Sequence, residues 1–153
     1  MIRSNCPKRM LVLAAASFLG AGCMRVRAIS SPAMDAGDRG TLAQIYYWRA
    51  RPGTFDEYTR YVRDVAEPID AEAHRRGAFI SVTTYITQDT TSMWTHMRIF
   101  ILRDSVQLRG LSAALDSAAI RLEPDSVKRR QRTQYSATLR DRVGAAVVRI
   151  LRH

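Results

Sequence analysis

Apolar residues at Phe55, Tyr58, Val62, Val65 and Ile69 recur at helical spacing, and the stretches on either side of them alternate instead. Residues 42–51, LAQIYYWRAR, are rich in Tyr, Trp and Ile and run into Pro52–Gly53, which predicts a strand and a turn. Thr54 stands where an N-cap belongs, and Glu57 three residues later offers the other half of a capping box. Pro68 lacks a backbone donor and is expected to kink or split the helix, which resumes through IDAEAHRR and stops at Gly77. AFISVTTYIT and MWTHMRIFIL are β-branched and aromatic, and the polar QDTTS between them predicts an antiparallel hairpin. Asp104 and Ser105 can cap a helix over VQLRGLSAALDSAAIRL, with Val106, Leu108, Leu111, Leu115, Ala119 and Leu122 as its apolar positions. Glu123–Pro124–Asp125 ends it, and SVKRRQRTQYSATLRDR is a second, basic stretch compatible with a helix. VGAAVVRIL reads both ways: Val147, Val148 and Ile150 favour a strand, whereas Ala145 and Ala146 let the helix continue.

The predicted order is βαββα with a possible closing strand, the split βαβ arrangement of ferredoxin-like domains. The expected class is α+β, with an antiparallel sheet and an extra C-terminal helix. Here a resemblance enters. The segment YYWRARPGTFDEYTRYVRDVAEPIDAEAHRRGAF resembles the first half of dimeric α/β-barrel proteins, a superfamily that includes NIPSNAP-like proteins and antibiotic-biosynthesis-type monooxygenases. The likeness lies in a first strand ending in Pro-Gly, a helix with aromatic and acidic residues, and Gly before a hairpin. It covers roughly residues 42–104 and concerns architecture, not catalytic residues. It implies a homodimer built through the sheets.

Strand parity divides the candidate site. In the third predicted strand Thr95, Met97, Ile99 and Ile101 oppose Trp94, His96, Arg98, Phe100 and Leu102. In the second, Ile80, Val82, Thr84 and Ile86 oppose Phe79, Ser81, Thr83, Tyr85 and Thr87. The aliphatic sets are expected to pack on helices, and the aromatic-polar sets to line a pocket or an interface, since hydroxyl and imidazole groups need partners when dry. Tyr46, Trp48, Tyr85, Trp94, His96 and Arg98 together would suit a flat, partly anionic ligand, with Arg98 holding a carboxylate and the rings stacking on its body. The same face would equally serve as an interface, where Tyr and Trp are enriched. His96 is the one candidate catalytic base, although no carboxylate adjoins it in sequence. His74, beside Arg75 and Arg76, is explained by the negative end of its helix. The acids Asp56, Glu57, Asp64, Glu67, Asp70 and Glu72 share a helix with arginines, so solvated ion pairs are expected of them.

The address is written at the start of the chain. Residues 1–23 carry a basic start (Arg3, Lys8, Arg9), a short apolar run from Met10 to Leu19, and Gly20–Ala21–Gly22. The run is too short for a permanent span, which needs about 20 residues. The segment reads as a secretory signal. LGAGC resembles a bacterial lipoprotein signal, which implies a diacylated Cys23 as the mature N-terminus; Leu19 stands four residues before that cysteine where the pattern wants three. Ordinary signal-peptidase cleavage would instead leave Cys23 as a free thiol or discard it. Residues 24–41, mixing Ser, Pro, Gly and Asp, read as a flexible tether, and 42–153 as the domain.

Of 153 residues, 46% are hydrophobic and 25% charged, the profile of one globular domain. The formal charge of +10 falls to about +7 once Arg3, Lys8 and Arg9 leave. In an envelope protein that charge suits anionic headgroups better than nucleic acid, and no basic-aromatic tract supports binding of single strands. With Cys6 in the discarded segment, neither a disulfide nor a cysteine metal site is expected. GxSxG, HExxH, P-loop and Rossmann fingerprints are absent. The leading expectation is an exported, lipid-anchored, cofactor-free homodimer that binds a small aromatic or amphipathic ligand without catalysis. One alternative is a cofactor-independent or haem-linked monooxygenase, by analogy of fold. Another is a structural envelope protein whose basic helix, Lys128 to Arg142, meets the membrane.

Overall fold

The structure is a computed structural model that describes residues 27–30 (backbone only), 41–89 and 91–151. The signal segment 1–23 and the lipidation candidate Cys23 lie outside the described residues. The stretch read as a tether contributes four residues to the fold: β1, Arg27–Ser30, pairs antiparallel with residues 83–86.

Alternation and turn residues place the remaining strands, β2 (Leu42–Ala50), β3 (Ser81–Ile86), β4 (His96–Leu102) and β5 (Arg140–Arg149). The sheet order is β1-β3-β4-β2-β5, antiparallel throughout. Without β1, this is an antiparallel α+β sheet compatible with the ferredoxin-like arrangement. The ambiguous stretch 143–151 is strand as far as Arg149, within β5. The pairing of β5 with β2 along nine positions outweighs the helical propensity of Ala145 and Ala146.

The first crossover contains α1 (Phe55–Tyr61), a π turn (Val62–Ala66) and α2 (Glu67–Arg75). Pro68 accounts for the π turn. A proline cannot bond to the carbonyl four residues back and its ring crowds that carbonyl, so the chain widens upstream, with the Glu67 amide donating to Val62. Gly77, at φ +78°, closes α2. The expected capping box does not form. Thr54 spends its hydroxyl on the carbonyls of Arg51 (3.0 Å) and Leu139 (2.6 Å), which ties the start of α1 to the start of β5.

The second crossover holds α3 (Ser105–Leu122) and α4 (Ser126–Leu139). Asp104 caps α3 through the amides of Val106 and Gln107, and Asp125 caps α4 through those of Val127 and Lys128. The basic stretch is therefore helical only to Leu139, and the described chain runs on through β5.

The helices cover one sheet face. One cluster joins Phe79, Val82, Phe100 and Leu102 to Ala73, Leu111 and Ala118, and a second joins Ala50 to Tyr58, Val62 and Leu139. Each Val, Leu or Phe side chain buried this completely contributes about 1.5–3 kcal/mol.

This arrangement keeps the expected division of faces on β3, where Val82, Thr84 and Ile86 turn toward the helices, and overturns it on β4. β4 turns Phe100, Leu102, Arg98 and His96 toward the helices and leaves Met97, Ile99 and Ile101 on the other side. In register, Ile45 faces Ile99, Tyr47 faces Met97 and Tyr85 faces Met97, so the aliphatic set of β4 lies on the side that, among the described residues, carries no helix. The reason lies in size and partners. The large side chains Phe100 and Leu102 complete the core, and His96 and Arg98 find partners on the helices above them.

Candidate functional site

Between the two core clusters the helix side of the sheet is open. A cavity of about 470 Å³ lies there, floored by Tyr46, Trp48, Arg98 and Phe100. α3 supplies Ser112 and Leu115 to its wall, α4 supplies Thr133, Ser136 and Ala137, and β5 supplies Arg140 and Arg142. The volume is in the range of small-molecule sites.

Of the six residues expected to form the pocket, Tyr46, Trp48 and Arg98 line it. His96 pairs with Trp48 across the strands but lies behind the lining. Tyr85 and Trp94 are not with the others. Tyr85 lies on the helix-free face, and Trp94 precedes β4 and sits 6.5 Å from the ring of Tyr47 on that same face. The misplacement follows from register: Thr84, not Tyr85, is opposite Arg98.

Arg98 already holds a carboxylate, that of Asp70 on α2, with the two side chains 9% and 4% exposed. Asp70 is thus a buried partner and not one of a solvated row. Burial pulls the Arg98 guanidinium down to about 10, so it remains charged at neutral pH. Its guanidinium also lies 5.2 Å from the centre of the Phe100 ring.

Arg140 and Arg142 were read as part of a basic helix, and β5 brings them to the cavity. Arg140 lies 4.7 Å over the Trp48 ring and 5.3 Å over that of Tyr58, and Arg142 lies 4.9 Å over Tyr46. Arg140 also donates to the Tyr58 hydroxyl (3.1 Å) and to Ser136 Oγ (3.1 Å). Neither arginine makes an ion pair among the described residues. Tyr58 is itself buried, and burial raises its hydroxyl above the usual tyrosine value. The Arg-x-Arg spacing just before an alternating run was the available signal for these two arginines.

His96 is fully buried. Its Nδ1 is 2.9 Å from Thr95 Oγ1 and its Nε2 is 3.0 Å from Thr59 Oγ1. One tautomer satisfies the whole chain of groups. The Ala50 amide donates to Thr95 Oγ1, which donates to Nδ1; Nε2–H donates to Thr59 Oγ1, which donates to the Phe55 carbonyl. The Tyr58 and Phe55 rings close around it, at 4.4 and 5.3 Å. Burial, with Arg140 adding to it, lowers the imidazole to about 4, so the ring is neutral. It ties β2, β4 and α1 together and is not part of the cavity lining. His74 is likewise satisfied, donating from Nε2 to the Ile80 carbonyl at 3.0 Å.

No group of three or more potential metal ligands occurs among the described residues, and none of their helices is long and apolar enough to cross a membrane. No family model, no curated protein and no solved structure matches the chain.

Proposed function

We propose that the protein binds a small molecule with a flat apolar body and an anionic group, and performs no chemistry on it. The observation that carries this reading is the pairing of Arg140 and Arg142 with the rings of Trp48 and Tyr46 in the wall of a cavity of about 470 Å³. Rings offer area to an aromatic body, and guanidinium forks suit oxyanions. The monooxygenase alternative draws no support from His96, whose nitrogens are both engaged by threonines. In this proposal the chain works in a bacterial cell envelope, held by lipid on Cys23, and pairs with a second copy. The surface offered to that copy is the helix-free face, where Ile45, Ile99, Met97 and Tyr47 lie side by side.

Titration of the full chain with 8-anilinonaphthalene-1-sulfonate, an aromatic monoanion, tests the binding reading. One saturable site is expected. Ala137→Trp, which fills the cavity from α4, is expected to abolish it with the circular dichroism spectrum unchanged. Equal binding by that variant would place the dye elsewhere and sink the reading.

A further inference from the structure

Resting on the binding reading above, we infer that the ligand of this cavity carries two negative charges on one head group. The cavity holds three arginines, and the fold treats them differently. Arg98, the buried one, is neutralised from within by Asp70. Glu67, half-buried nearby, also feels Arg98, although burial raises its pKa. Arg140 and Arg142, which reach the cavity from β5, have rings and hydroxyls for partners and no carboxylate among the described residues. A ring face attracts a guanidinium by about 0.5–1 kcal/mol at open sites, but it cancels no charge. Two positive charges are therefore left over in a partly enclosed space.

The strand places these two charges together. Arg140 is opposite Ala50 and Arg142 opposite Trp48, yet their guanidinium groups lie over Trp48 and Tyr46 respectively. Each side chain leans one step along β2 toward the cavity. The two rings beneath them are 5.5 Å apart, so two planar forks sit over neighbouring platforms. A register shift between Tyr47 and Trp48 marks the same point of the strand pair. A single head group with several oxygens can accept from both forks, as a phosphate monoester or a pair of adjacent carboxylates does. A monoanion leaves one fork unmatched. Phe100, Leu115 and Ala137 give the cavity an apolar patch among the hydroxyls of Ser112, Thr133 and Ser136, which offers a flat hydrocarbon body a place beside the head group.

Calorimetric titration of the full chain at pH 8 with four compounds tests this inference. They are 2-naphthyl phosphate, its methyl ester (the same head group with one charge blocked), naphthalene-2,3-dicarboxylate and inorganic phosphate. Binding of 2-naphthyl phosphate or of the dicarboxylate about tenfold or more tighter than the methyl ester is expected, and the tighter of the two identifies the head group. Arg142→Gln is expected to bring the preferred compound down to the affinity of the methyl ester. A methyl ester that binds wild type as tightly as both dianions overturns the two-charge inference and leaves the binding reading standing. Inorganic phosphate binding as tightly as the aryl phosphate overturns the apolar-body half. If none of the four binds, the binding reading falls too.

Discussion

Acidification singles out His96. In the folded chain its imidazole titrates at about 4, and a free histidine at 6.5. The folded pKa is depressed, so the folded state resists a proton that the unfolded state accepts. Above pH 6.5 neither state is charged and there is no penalty. As pH falls from 6.5 toward 4, protonation stabilises only the unfolded chain, and stability drops. Below 4 both states are charged and the loss levels off. At 1.36 kcal/mol per unit the full cost is about 3 kcal/mol, of which about 2.5 is reached by pH 4.5. Urea unfolding followed by circular dichroism at pH 7.5 and 4.5 measures it, with His96→Gln as the reference. The glutamine variant keeps an acceptor and a donor between Thr95 and Thr59 but cannot titrate, and every carboxylate contributes alike to both proteins. Wild type is expected to lose about 2.5 kcal/mol more than the variant over that interval, a difference in urea midpoint of about 1–2 M for a domain of this size. Equal losses in the two proteins would mean that the imidazole is not held neutral, and the account of the threonine clamp would fail with it.

Three further outcomes are expected. Asp70→Asn or Arg98→Met alone leaves a buried charge unmatched and costs about 3–5 kcal/mol in urea unfolding, whereas Asp70→Leu with Arg98→Met recovers most of it; additive losses would mean that the pair is not coupled. Ile45→Lys, on the helix-free sheet face, converts a dimer to a monomer in analytical ultracentrifugation without loss of helical signal; an unchanged sedimentation coefficient would remove that face from any interface. Metabolic labelling with a fatty-acid analogue marks the wild type and not Cys23→Ser, and label retained by the variant would exclude that thiol as the attachment point.

The order of elements was legible because its signals are local. Pro52–Gly53, Gly77 and Glu123–Pro124–Asp125 punctuate the chain, and Asp104 announces α3 within its own first turn. What escaped depends on partners distant in sequence. Parity separates Tyr85 from Thr84 along β3, but only the register with β4 shows which of them lies opposite Arg98. The rule that aliphatic strand faces meet helices failed at Met97, Ile99 and Ile101, because Thr59 on the helices bonds His96 and Asp70 there offers Arg98 an opposite charge. Arg140 and Arg142 were hidden inside a basic stretch with helical composition. Their role depends on α4 stopping at Leu139, where Thr54 takes up that residue's carbonyl.

The strand order carries a consequence for the life of the chain before it folds. β2 lies between β4 and β5, and its pairing with β5 joins Leu42 to Arg149, nearly the two ends of the described domain. As the chain leaves the ribosome, the first long strand can pair with β4 on one edge, but its other edge has no partner until β5 has been made. Closing so long a loop is slow, and partial chains lack the β5 wall that completes the sheet. The order of synthesis therefore delays closure of the sheet until Arg149 has been made. Under the export proposed above, that delay would keep the chain extended for threading through a membrane, with the topology itself postponing closure.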